Sequence, residues 1–199
     1  VSMGGSSNDY AEAITVDADG NVYATGYFQG TVDFDPGSGT TNLTSAGGYD
    51  IFVTKFNAEG DLLWAKSMGG FMEDKALGID VDINGNVYTT GHFHGTSDFN
   101  PGASSYNLSS EGGKDIFVSK LDSNGDFMWA GRFSGTSHNY GYDVAVDDDE
   151  NMYLTGYFNG TVDFDPAPAT NTFNLTTTGG REIYVVKLDI TYNLVWAKK

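Results

Sequence analysis

A short stretch returns three times at a fixed step, and this periodicity constrains the fold more than any single residue does. Asp17-Ala-Asp-Gly-Asn-Val-Tyr is followed by Asp82-Ile-Asn-Gly-Asn-Val-Tyr and then by Asp147-Asp-Asp-Glu-Asn-Met-Tyr, 65 residues apart each time. Pro36, Pro101 and Pro166 keep that step, whereas Trp64, Trp129 and Trp196 are separated by 65 and then 67. Two extra residues therefore fall between Pro166 and Trp196, and we place them in the segment Ala167 to Asn174, where a surface loop tolerates insertion. A period of this length marks supersecondary units that stack on one another to bury a shared core.

Within a repeat, apolar residues alternate over short runs broken by Gly-containing turns, the pattern of strands rather than helices. In the first repeat strand A is expected near Ala11 to Asp17, B near Asn21 to Gln29, C near Asp50 to Asn57 and D near Asp61 to Ser67. Ala18-Asp19-Gly20 and Ala58-Glu59-Gly60 supply tight A–B and C–D hairpins, with Gly where a left-handed backbone is needed. The longer segment from Gly30 to Gly48 has room for a small extra hairpin. Four antiparallel strands and one Trp per repeat point to an all-β chain of three four-stranded β-propeller blades. Residues 1–5 would be the end of a preceding strand D, followed by blades at 6–70, 71–137 and 138–199. A solenoid of stacked sheets is the alternative.

Several residues suit blade packing. Ala11, Ala76 and Gly141 are small, as the crowded strand nearest the axis requires. Gly26, Gly91 and Gly156 would let a neighbouring blade approach. Trp64, Trp129 and Trp196 each offer ~150–250 Å² for burial between blades. The strings Gly20-Asn-Val-Tyr-Ala-Thr-Gly26 and Gly85-Asn-Val-Tyr-Thr-Thr-Gly91, with Asp-Ile-Phe-Val at Asp50 and Asp115 and Trp-Ala-Lys at Trp64 and Trp196, resemble the bacterial β-propeller repeat called the SBBP repeat. The resemblance covers essentially the whole chain and implies a secreted or cell-surface protein, without implying a reaction. The third copy departs from it at Glu150, Glu182-Ile-Tyr-Val and Tyr192, so its hairpins are expected to differ in turn type.

Closed propellers hold about 4–8 blades, so three repeats do not close a ring alone. Ser2-Met-Gly-Gly matches Ser67-Met-Gly-Gly, the end of a strand D, and Trp196-Ala-Lys-Lys stops inside the same strand. Two expectations follow: a partial propeller within a longer array of blades, or an oligomer in which two chains supply six. Either way the partners are further blades of the same or another chain.

With 10 Lys and Arg against 27 Asp and Glu, the net charge of −17 repels phosphate backbones and anionic lipid, which excludes ordinary nucleic-acid binding. No apolar run approaches a membrane span, so no membrane insertion is expected. The absence of cysteine removes disulfides, thiolate zinc sites and Cys nucleophiles. What the acids invite is a hard cation, and Ca²⁺ is the cofactor to test. Asp33 and Asp35, with their copies Asp98, Asn100, Asp163 and Asp165, put paired oxygens on one side of an extended chain and Phe34, Phe99 or Phe164 on the other. Asn42, Asn107 and Asn174 are candidates for further ligands. A simpler reading has the Phe plug the blade while the acids cap the next turn. Asp17, Asp19 and Asn21, with their copies, place oxygens at alternate positions of a loop, which suits either a cation or an ordinary hairpin.

Lys55, Lys120 and Lys187 occupy one position of strand C and would pair with Asp50, Asp115 and Glu182. His92-Phe-His94 has metal-ligand spacing in one repeat alone. The enzymatic rival is a glycan-processing hydrolase or lyase on a partial ring, since paired carboxylates are plentiful. Sialidase-type chemistry resembles a family that needs an arginine cluster, and this chain has only Arg132 and Arg181. No Gly-x-Ser-x-Gly elbow is present. Three similar units also fit poorly with the single asymmetric constellation that catalysis needs. A non-catalytic extracellular scaffold or adhesion surface, with the loops after Pro36, Pro101 and Pro166 touching a protein or glycan, is the reading that the sequence favours.

Overall fold

A computed structural model describes residues 2–166 and 172–199, and every element in it is a β-strand or a connection. The two extra residues expected between Ala167 and Asn174 thus fall largely outside the described residues. In chain order the strands are β1 (Gly4–Gly5), β2 (Tyr10–Val16), β3 (Val22–Phe28), β4 (Thr31–Asp33), β5 (Asn42–Thr44), β6 (Asp50–Phe56) and β7 (Leu62–Gly70). The second repeat gives β8 (Lys75–Val81), β9 (Val87–Asp98), β10 (Asn107–Leu121) and β11 (Phe127–Gly135), and the third β12 (Tyr140–Val146), β13 (Met152–Asp163), β14 (Asn174–Leu188) and β15 (Leu194–Lys198). All pairings are antiparallel, in the order A, B, C, D within each repeat. The small hairpin foreseen after strand B is β4–β5 in the first repeat. It is absorbed into the longer β9–β10 and β13–β14 pairs in the other two.

Alternation of side chains across each strand gives every blade two apolar faces, and the core lies in the seams between blades. Tyr23, Ile51 and Val53 of the first blade pack on Ile79, Phe93, Phe99 and Phe117 of the second. Tyr88, Ile116 and Val118 of the second pack on Val144, Leu154, Phe158 and Tyr184 of the third. Strand D also crosses each seam: Gly69 and Gly70, at the end of β7, pair with Asp98 and Ser97 of β9, and Ser134 and Gly135 of β11 pair with Asp163 and Val162 of β13. β1 makes the same contact with β4. Trp64 and Trp129 act in these seams as expected, whereas Trp196 meets Tyr153 of its own blade. Trp64 Nε1 donates to the Ser123 carbonyl of the next blade at 3.1 Å. Trp129 stacks on Tyr192 of the next blade, with ring centroids 4.3 Å apart and planes 6° from parallel.

The seam glycines act differently from the expectation. A Cβ on Gly26, Gly91 or Gly156 would lie 1.9 Å from the carbonyl oxygen of Tyr10, Lys75 or Tyr140. Those oxygens belong to strand A of the same blade, beside the bulge in each A–B pair, so the close approach is within a blade rather than between blades. The third-repeat hairpins also depart from expectation, because they keep the turn type of the others. Glu150 and Tyr192 adopt φ of 60° and 67°, in the left-handed region that Gly85 and Gly125 occupy at 77°. The strained pair is retained because each side chain reaches across a seam, Glu150 to Lys120 at 2.9 Å and Tyr192 to Trp129. Tyr192→Gly is therefore expected to lower stability by about 1 kcal/mol in urea unfolding, since the stack outweighs the relieved strain. A gain in stability would reverse that ranking.

The first and last blades each keep one seam face open. Ile14 is 70% exposed where its equivalents Ile79 and Val144 are 6% and 4% exposed. Ile183 is 73% exposed where Ile51 and Ile116 are fully buried.

Candidate functional site

The residues singled out in the sequence act mainly as turn builders. Asp17 Oδ1 accepts the backbone N–H groups of Asp19 and Asn21, while its Oδ2 accepts from the Asn21 amide and the Tyr23 hydroxyl. Asp82 and Asp147 repeat this arrangement. Asp33 Oδ1 accepts from Asp35 N–H and Thr41 N–H, and Asp35 Oδ1 from Gly37 N–H. Asp98, Asn100 and Asp163 serve the matching bonds, with Asp165 N–H donating to Asp163. Asn42, Asn107 and Asn174 stand directly opposite Asp33, Asp98 and Asp163 in the register. Phe34, Phe99 and Phe164 are buried as plugs. Among the described residues, no group of three or more His, Asp or Glu is set to hold a metal ion. A calcium titration followed by thermal melting decides between the two readings of these turns. A rise in Tm at millimolar Ca²⁺ supports the cation, and an unchanged curve leaves turn formers.

Lys55, Lys120 and Lys187 do not meet Asp50, Asp115 and Glu182, which lie at the opposite end of strand C. Lys120 pairs instead with Glu150 at 2.9 Å and approaches Asp82 at 4.0 Å. Lys55 and Lys187 lie over the rings of Tyr23 and Tyr153 at 5.1 and 5.0 Å.

The uncommitted chemistry gathers at the other end, where the D–A connections meet the start of strand C. Three sets of equivalent positions build a rim there: Tyr10, Lys75 and Tyr140; Tyr27, His92 and Tyr157; Tyr49, Lys114 and Arg181. Tyr10 stacks on Tyr27 at 4.9 Å. The Lys75 ammonium lies over Tyr27 and Tyr49 at 4.4 and 4.8 Å. Glu73 joins Lys75 to Lys114 at 2.7 and 2.5 Å. His92 rests on Tyr140 with ring centroids 4.4 Å apart, Tyr140 meets Tyr157, and Arg181 covers Tyr157 at 4.4 Å. The contacts thus run unbroken across all three blades. Tight backbone packing fixes this end: Asp74 N–H donates to the Tyr49 carbonyl and Asn139 N–H to that of Lys114, both at 2.7 Å.

Burial, reinforced by the charges of Lys114 and Lys75, pushes the His92 imidazole down to about 3, so it stays neutral. Its Nε2 faces Lys114 at 3.4 Å, whereas His94 lines a separate groove, so the two histidines do not act as a pair. Burial works against ionisation of Glu73, but the two lysines outweigh it and hold the carboxyl near 2. The sequence carried one signal of this surface, namely that its positions change chemistry from repeat to repeat while the strands around them hardly change.

No family model matches the chain. Two much longer proteins are similar to it. One is an uncharacterised WD repeat-containing protein, L264, of Acanthamoeba polyphaga mimivirus, 28% identical over 212 residues, which takes in 92% of this chain and 15% of the viral protein. The other is the regulatory protein FlaEY of Caulobacter vibrioides, 28% identical over 142 residues, or 70% of this chain and 14% of that protein. The chain therefore spans about one seventh of the length of either relative. Together with the all-β, antiparallel architecture, the first likeness makes this a β-propeller-like repeat.

Proposed function

We propose that the chain is a non-catalytic stretch of β-propeller that serves as a binding scaffold. Further blades of the same repeat cover its two open faces, and the tyrosine-and-cation rim is its contact surface. The contrast between Ile183, 73% exposed, and the fully buried Ile51 and Ile116 carries the first half of this reading. A side chain of that kind is buried wherever a following blade exists, so the open face is shaped for one. The matching face on the first blade presents Ile14 and Val16, at 70% and 61% exposed, and the same blade buries a small cluster of Phe28, Val32, Phe34 and Phe52. Apolar area left open on this scale is a normal mark of an interface. The likeness to a WD repeat-containing protein supports the scaffold half.

The isolated chain is expected to self-associate at tens of micromolar in light scattering, with the last blade of one copy on the first blade of another. Ile183→Asp, which places an unpaired charge on one face, is expected to restore a monomer. A wild-type chain that stays monomeric at every concentration would sink the claim that blades of this repeat cover the open faces.

A further inference from the structure

Between the second and third blades the rim opens into a groove of about 470 Å³. Its walls carry a different chemistry from the rest of the molecule. Arg181, His138 and Asn159 face it, with the hydroxyl-bearing Thr136 and Ser137 on the D–A connection and His94 opposite. Arg181 is exposed and, among the described residues, takes part in no ion pair. No carboxylate lines the groove among the described residues, and Glu182, next in the chain to Arg181, is engaged by Lys199. The guanidinium is held in place by the face of Tyr157 at 4.4 Å, which leaves its five N–H donors for a ligand. His138 is oriented as well. Its Nδ1 accepts the Lys114 N–H at 3.1 Å, which leaves Nε2 as the donor. Tyr142 is 49% exposed and meets Tyr157, the ring that Arg181 covers, with centroids 5.6 Å apart and planes tilted by 56°.

We infer that this groove binds a carboxylated sugar, such as a uronic acid unit of a glycan. Arg181 would take the carboxylate as a two-bond fork, His138, Asn159, Thr136 and Ser137 would meet the ring hydroxyls, and Tyr142 would stack on the C–H face of the ring. The balance of the site favours this ligand over other anions. One unpaired cation among several neutral donors and acceptors matches a polyhydroxylated ligand with a single negative charge. A phosphate or polyanion would carry more negative charge than a single carboxylate into the field of a chain with net charge −17.

The inference rests on the reading of this end as a contact surface, and the test separates the two. Binding of a trisaccharide that carries a single galacturonate unit, a glucose trisaccharide and inorganic phosphate to the wild-type chain is measured by calorimetry, alongside Arg181→Gln, Arg181→Lys and Tyr142→Ala. The acidic trisaccharide is expected to bind at least tenfold more tightly than the neutral one. Arg181→Gln should remove that preference, Arg181→Lys should restore part of it, and Tyr142→Ala should weaken both sugars several-fold. Melting temperatures should not move, because both side chains are exposed. Equal binding of the two sugars, competition by phosphate at similar concentration, or an acid preference that survives Arg181→Gln each overturns the inference. Sugar binding that Arg181→Gln spares but Lys75→Ala abolishes would overturn the groove while keeping the rim.

Discussion

Phe99→Ala is expected to cost about 3–5 kcal/mol in urea unfolding, as large as a single core truncation ordinarily gives. The ring is fully buried in the central blade, 5.4 Å from Phe93 and 5.0 Å from Phe117, and it belongs to the core shared with the first blade. Backbone bonds pin its neighbours, with Phe99 N–H donating to the Tyr106 carbonyl and Asp98 holding the turn that follows, so the cavity cannot close by collapse. The equivalent Phe34 belongs to a smaller cluster beside the open face of the first blade, and Phe34→Ala is expected to cost clearly less. Equal costs at the two positions would mean that the seam adds nothing to the plug.

Raising the pH from about 5 to 8 is expected to destabilise the chain, against the habit of acidic proteins, and Asp74→Asn should remove much of that loss. Asp50 and Asp74 are buried together at the first seam. Burial raises Asp50 to about 7, opposed by the Ala46 N–H and reinforced by Asp74. Burial also raises Asp74 to about 6 against bonds from Ser97, His94 and Gly70, and Glu73 adds to the rise. Asp115 at the second seam is likewise raised by burial to about 6. A carboxyl whose folded value lies above its unfolded value near 4 keeps a proton in the native state that the unfolded chain has released. Stability is then full below about pH 4 and falls as the pH rises through 6 and 7, by about 1.4 kcal/mol per pH unit for each such proton. Glu73, held near 2, works the other way and loses its contribution below about pH 4.5, so the optimum lies near pH 4–5.

The second seam shows what relieves the first. There the position of Asp74 is taken by Asn139, whose amide donates to Asp115 Oδ1 at 3.4 Å, while the corresponding Asp50 Oδ1 is buried without a partner. Asp74→Asn supplies that donor and removes one buried charge, so a gain of about 1–3 kcal/mol at pH 8 is expected, shrinking towards pH 5. A flat pH profile in the wild-type chain, or a loss at pH 8 in the variant, contradicts this account.

What the residues disclosed in advance was local and periodic. Alternation in Ala11 to Asp17 and Asn21 to Gln29, with Gly20 between them, places two strands and their turn to within a residue or two of β2 and β3, because strand period and turn chemistry are properties of neighbours in the chain. The seam role of Trp64 was legible for a similar reason, since a large ring in a repeating strand needs a repeating partner. Contacts set by the stacking of one repeat on the next were not legible. Lys120 finds Glu150 rather than Asp115 because the A–B hairpin of the following blade, 30 residues on, lies over its end. The left-handed Glu150 and Tyr192 followed from the same cause, since a seam contact overrides a local preference for Gly. The rim was not legible because none of its three positions keeps one residue type through all three repeats.

The crossing of each seam by strand D bears on how such a chain changes length. β7 begins in the ladder of the first blade and finishes in that of the second, so a blade is not a parcel with two ends of its own. The natural unit of growth is any window of 65 residues, wherever it starts, because removing or duplicating one returns the backbone to the same phase of the same ladder. Gain or loss by this step leaves no frayed edge, and arrays of differing blade number can arise from unequal exchange between repeats without any new junction having to be invented.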